Sequence, residues 1–139
     1  LVIPQSISLA DLKIDEALYT TQINFFSNLY GVDNRIVDKV IDCESDYNPL
    51  AKGDGGHSNG IAQIQKPTWD WMELQYFKEW GEHLDYQSSH DQIKLLAYQI
   101  SKGNGINWTT YRALMNGGTY SFWSKQNNKY YTIVCKLDN

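Results

Sequence analysis

Apolar positions recur with a helical rather than a strand period along most of this chain. Ile36, Val37, Val40 and Ile41 follow one another at helical spacing, with Asp33 ahead of them as a cap, so the pattern predicts a helix over 33–45. It should end near Ser45, because Asn48-Pro49 cannot continue it. A longer helix is expected from about Leu9 to Leu29, capped by Ser8 or Asp11 and stopped at Gly31. Its apolar positions Leu18, Ile23, Phe26 and Leu29 fall only loosely on one stripe. Pro67 opens a third helix that runs through Trp69, Met72 and Phe77. A fourth spans about His90 to Lys102, with Ile93, Leu96, Ala97 and Ile100 on one face and Gly103 and Gly105 closing it. Asn107 is expected to cap a short fifth helix to Met115, broken by Gly117-Gly118.

The segments between read differently. Pro4 makes residues 1–8 an extended arm, and Tyr130 to Val134 forms an extended tail. From Asp46 to Asn59, Gly53, Gly55 and Gly56 are interleaved with Asp54, Ser58 and Asn59, which is the chemistry of a loop. There is no repeat and no linker. The expected fold is therefore mainly α, one domain over 1–139 with little β structure.

Composition narrows the function classes. A length of 139 residues suits a single core, and 42% hydrophobic with 20% charged residues excludes disordered and fibrous chains. No apolar run approaches the ~18 residues that span a bilayer, so no integral membrane segment is expected. The net charge of −4 comes without any basic block, which argues against non-specific nucleic-acid binding. A chain opening on Leu1 rather than Met is expected to have been processed or trimmed, and no signal peptide is visible. Aromatic residues make up 14%, including five Trp and ten Tyr, and serve either a core of rings or a cleft for flat ligands such as sugars. Trp69 and Trp71 point to different sides of their helix, so at least one belongs to the core, and Trp108 and Trp123 are expected around the last helices. Cys43 and Cys135 lack any zinc-type spacing and are either buried thiols or one disulfide.

One residue stands out for its chemistry. Glu44 follows Val40 by four positions and Ile41 by three, so it shares their core-facing side in the last turn of its helix. Apolar surroundings and the helix C-terminus both disfavour a charged carboxylate there, which should raise its pKa. A carboxyl kept protonated near neutral pH can serve as a general acid.

The surroundings of Glu44 carry a longer pattern. Cys43-Glu44-Ser45-Asp46-Tyr47-Asn48-Pro49-Leu50-Ala51 is followed, after the glycine loop, by Ser58-Asn59-Gly60-Ile61-Ala62-Gln63-Ile64-Gln65-Lys66-Pro67-Thr68. Over residues 43–68 this resembles the soluble lytic transglycosylase-like domain of the lysozyme superfamily. That family shows Glu-Ser, Asn-Pro and Ala, a Ser/Gly loop, Gly-Leu-Met-Gln-Ile and Pro-x-Thr; here Ile61-Ala62 replaces Leu-Met.

The resemblance implies a lysozyme-like domain with a cleft that cleaves peptidoglycan glycan strands, without cofactor or metal. Glu44 would protonate the oxygen between N-acetylmuramic acid and N-acetylglucosamine. It would then act as base while the muramoyl 6-hydroxyl closes a 1,6-anhydro ring. Ser45 and Gln63 match positions near the bound sugar, Gln65 falls where a cleft-lining side chain is expected, and the loop of 46–59 would form part of the wall. The family's second motif, Tyr-Asn-Ala-Gly, has its nearest counterpart in Met115-Asn116-Gly117-Gly118, which lacks the tyrosine. Tyr111, one turn earlier, is the expected substitute, with Tyr98 and Tyr120 as the other candidates. The resemblance also implies an extracytoplasmic location, and with it a Cys43–Cys135 bridge that clamps the C-terminal segment to the catalytic helix. A monomer is expected, alone or as part of a larger protein or assembly. Because cell walls are polyanionic, attraction to the wall would have to come from the cleft or from a partner domain.

Two rivals keep the cleft. One is a hydrolytic muramidase that recruits Asp46, Asp54 or Asp91 as a second carboxylate, although Asp at such places is ordinarily a cap or loop residue. The other is a glycan-binding module without turnover. His57, close to Asp54, is expected to be a solvated loop residue rather than a metal ligand.

Overall fold

Helix α4 (Ser89–Ser101) is buried on almost all sides, with every residue from Gln92 to Gln99 inside. The computed structural model of the protein describes residues 9–138, with side chains from residue 16 onward. The expected arm of 1–8, with the cap candidate Ser8, lies outside what is described, as does the side chain of the other candidate, Asp11. Around α4 pack α1 (Leu9–Tyr30) and α3 (Lys66–Trp80), while α2 (Asn34–Ser45) lies between α1 and the short α5 (Thr109–Met115). The architecture is mainly helical with small antiparallel sheets, as the apolar periodicity predicts.

Helix boundaries follow local chemistry. The Asp33 side chain accepts from the Arg35 N–H and starts α2, and the Ser88 hydroxyl accepts from the Asp91 N–H at the start of α4. Gly31 takes the left-handed conformation that ends α1, letting the Val32 N–H reach back to the Ser27 carbonyl at 2.9 Å. Of the apolar positions expected on α1, Ile23 and Phe26 enter the core, whereas Leu18 and Leu29 remain half exposed.

The rings mostly choose the core. Tyr30, Tyr76, Trp80 and Tyr98 pack edge-on and stacked around α4, with the Tyr76 and Tyr98 rings 5.0 Å apart and the Tyr30 and Tyr76 hydroxyls 2.9 Å apart. Trp69 and Trp108 are buried and Trp71 is exposed. Trp123 does not pack around the last helices; it lies half exposed against Tyr130.

Three local expectations are corrected. Asn107 does not cap α5: it closes a separate 3-10 turn over Gly105–Asn107, its amide donating to the Asn104 carbonyl, and α5 begins after Trp108. The glycine-rich loop contributes two two-residue strands, β1 (Lys52–Gly53) and β2 (Ser58–Asn59), to a small antiparallel sheet completed by β3 (Ile64–Gln65). The extended tail is half of a hairpin, in which β4 (Thr119–Ser124) pairs along its whole length with β5 (Lys129–Val134). Just after β5, Cys135 is bridged to Cys43 on α2, their Cα atoms 6.0 Å apart. Among the described residues no helix is long and apolar enough to cross a membrane.

Candidate active site

Helix α2 buries Val37, Val40 and Ile41, and the same face carries Glu44 to the edge of the core one turn later. The helix stops at Ser45, and Asp46 and Tyr47 turn the chain away in left-handed conformations. The Ser45 hydroxyl is satisfied by backbone, donating to the Ile61 carbonyl at 2.7 Å and the Ile41 carbonyl at 3.2 Å. It thereby staples the end of α2 to the turn that follows the glycine loop.

That turn, Gly60 to Gln63, is held from several sides. Gln92 on α4 accepts from the Ala62 N–H at 3.0 Å and donates to the Asn59 and Tyr86 carbonyls. The Trp108 indole donates to the Ala62 carbonyl at 2.9 Å. Gly60, at φ +85, is obligatory here because a Cβ would come within 2.3 Å of the Gln92 amide. Gln63 is itself left-handed, and its amide donates to the Ala51 and Gly60 carbonyls at 2.8 and 2.9 Å. These bonds fix a wall opposite Glu44 without relying on loop stiffness.

Between α2, this loop, α5 and the hairpin lies a cavity of about 630 Å³. Glu44, Asp54, Gln63, Gln65 and Thr110 line it, with Thr132 to Val134 of β5 closing one side. The Thr110 hydroxyl donates to Glu44 Oε2 at 2.7 Å, and the Ser58 hydroxyl to Asp54 Oδ2 at 2.6 Å. Burial pushes the Glu44 carboxyl up to about 7; the Thr110 hydrogen bond opposes this, and the nearby Asp54 charge adds to it. The carboxyl is thus poised between donating and accepting a proton near neutral pH, with one oxygen held by Thr110.

No family model matches this sequence, and neither a curated protein nor a solved structure matches it either.

Of the residues singled out from sequence, Glu44, Gln63 and Gln65 come together at the cavity, and Cys43 lines it while bridged to Cys135. Ser45 lies outside the lining, with its hydroxyl spent on two carbonyls. Tyr111 is also outside and makes no hydrogen bond with Glu44; its ring packs over Gly105, where a Cβ would sit 2.8 Å away. Tyr98 is buried with its hydroxyl on Glu79, and the Tyr120 hydroxyl accepts from Arg112 at 2.7 Å. The place beside the carboxyl belongs to Thr110. Of the three aspartates considered as second carboxylates, Asp54 reaches the cavity, whereas Asp46 caps α2 and Asp91 accepts from the Asp85 N–H at the start of α4.

Thr110 went unread in the sequence, although a signal exists. Thr110 and Ala113 are spaced as one face of a helix, and both are buried. The wall supplied by β5 had no such signal, since nothing local says that a C-terminal strand returns to α2.

Proposed function

We propose that this protein is a peptidoglycan lytic transglycosylase acting on the bond between N-acetylmuramic acid and N-acetylglucosamine, with Glu44 as the acid and then the base. The observation that carries this reading is the Glu44 carboxyl, held near 7 in the wall of a cavity large enough for a glycan. It coincides with the pattern of residues 43–68 that resembles the transglycosylase-like domain, within a mainly helical fold.

In this mechanism protonated Glu44 gives its proton to the glycosidic oxygen, and the C1–O bond breaks with positive charge growing on the muramoyl ring. Glu44, now a carboxylate, takes the proton from the muramoyl 6-hydroxyl as that oxygen bonds to C1. The products are a free 4-hydroxyl and a 1,6-anhydro end, no water is consumed, and Glu44 regains its starting proton. Thr110 holds Oε2 throughout and leaves Oε1 to face the substrate. Gln65 supplies an amide group for sugar hydroxyls and acetamides, Gln63 lines the wall with its N–H groups held by backbone, and Asp54 offers negative charge to the developing cation. The Cys43–Cys135 bridge suits an oxidising compartment, which is where peptidoglycan lies.

A second reading is favoured by Asp54. A carboxylate in the same cavity could activate water or trap C1, which would make the protein a hydrolytic muramidase. Mass spectrometry of soluble fragments from purified peptidoglycan separates the readings. Anhydro-muropeptides that disappear in Glu44→Gln are expected. Reducing-end products would assign a hydrolase and move attention to Asp54→Asn. Binding of glycan with no release by either protein would replace the enzyme with a binding module.

A further inference from the structure

A second cavity, about 620 Å³, opens beyond the first and shares Asp54, Gln65, Thr109 and Ile133 with it. One wall is the inner face of the C-terminal hairpin, where strand alternation puts Tyr120, Phe122 and Tyr131 on the same side. The Tyr120 and Phe122 rings lie 5.8 Å apart at 24°, and Phe122 and Tyr131 lie 5.7 Å apart at 23°, so the three rings form a stacked tier of near-parallel planes. Tyr120 is taken up by Arg112, whose guanidinium sits 5.2 Å over its ring. Phe122 and Tyr131 line the second cavity instead.

Polar groups ring this apolar floor. His57 comes from the glycine loop, and Ser124, Gln126 and Asn127 from the end of the hairpin. Asn127 is oriented by two contacts, its N–H donating to the Ser124 hydroxyl at 3.2 Å and its amide to the Tyr131 hydroxyl at 2.8 Å. Among the described residues the amide oxygen of Asn127 accepts no hydrogen bond. An aromatic wall bordered by amides and hydroxyls, with Asp54 and His57 beside them, suits a pyranose, whose C–H face packs on a ring while its equatorial hydroxyls and acetamide point sideways.

We infer that the hairpin is an extension of the glycan cleft, and that Phe122 and Tyr131 form a platform for N-acetylhexosamine units adjoining those at Glu44. The inference rests on the proposed glycan-cleaving reading, and it adds a chain-length preference that Glu44 alone does not require. Continuity of the two cavities makes one strand the occupant of both. The net charge of −4 offers no general attraction to an anionic wall, so affinity has to come from contacts of this neutral kind.

The test uses calorimetric titration of the full chain carrying Glu44→Gln, so that no turnover intervenes, with chitotriose and chitohexaose as probes. The hexasaccharide should bind about tenfold more tightly than the trisaccharide, a factor in the range of one stacked ring. Adding Tyr131→Leu, which keeps an apolar partner for Phe122 but removes the flat face, should bring that ratio close to one. Asn127→Ala, beyond the paired strands, removes the amide and its bond to the Tyr131 hydroxyl but neither ring, and should lower the ratio in the same direction. Equal affinity for both probes, or a ratio that survives both substitutions, overturns the platform and leaves the Glu44 reading standing. Failure of either sugar to bind, together with no release from peptidoglycan, overturns both.

Discussion

Glu44 is placed by a covalent fact, its position three and four residues after buried Ile41 and Val40, and its chemistry follows from that place. Its carboxyl ordinarily titrates near 4.5 and is raised to about 7 by burial. The folded protein therefore holds a proton that the unfolded chain has released between those values. Stability must then fall as pH rises through that window and be lowest above it. The cost above pH 7 is on the order of 3 to 4 kcal/mol, since one unit corresponds to about 1.4 kcal/mol. Glu44→Gln removes the titration yet keeps an oxygen for the Thr110 hydroxyl. Urea denaturation should show the variant gaining roughly this amount over wild type at pH 8, and much less at pH 4.5. The same gain at both pH values would mean an ordinary, hydrated carboxyl.

At the scale of elements, α2, α3 and α4 were legible because each has a periodic apolar face and a recognisable start or stop, such as Asp33, Pro67 and Gly103. Two failures are instructive. Strand β4, Thr-Tyr-Ser-Phe-Trp-Ser, alternates as a strand should, but its meaning depends on a partner ten residues on, and pairing is not a local property. Helix α5 is legible in the sequence, but the residue that faces Glu44 from it is not. With seven residues it offers barely two turns from which to judge a face, and the missing tyrosine motif drew attention to Tyr111 rather than its neighbour Thr110. The rotation of α5 has a measurable consequence. The Thr110 hydrogen bond favours the ionised form of Glu44, so Thr110→Val should raise the carboxyl further above 7, on the order of one pH unit. Carbon-detected NMR titration of the Glu44 side chain reads this directly. Thr110→Ser should return it toward the wild-type value, and a Glu44 titration unmoved by Val would show that the hydroxyl does not govern the carboxyl.

At the scale of the whole molecule the chain closes on itself at the site. Cys43 and Cys135 are 92 positions apart, and they join the last turn of α2, one residue from Glu44, to the strand whose Thr132, Ile133 and Val134 form a cavity wall. Little else ties that strand to α2: the Cys135 N–H donates to Gly118 of its own hairpin, and the Lys39–Asp138 contact, at 3.5 Å with an exposed carboxylate, contributes little. A cross-link over so long a loop removes much unfolded-chain entropy, about 4 kcal/mol on the loop-closure account. The double variant Cys43→Ser/Cys135→Ser should therefore melt roughly 10–15 °C lower than the oxidised protein. Below that temperature it should remain folded, because α4 and the rings around it owe nothing to the bridge. Glycan affinity should nevertheless fall while the protein is still folded, since α2 and β5 would no longer be held as two sides of one cavity. Heat capacity scans and titration with chitohexaose on the same samples distinguish these effects. A lower melting temperature with unchanged affinity would make the bridge a stabiliser alone, and an unchanged melting temperature would show that the folded hairpin needs no clamp.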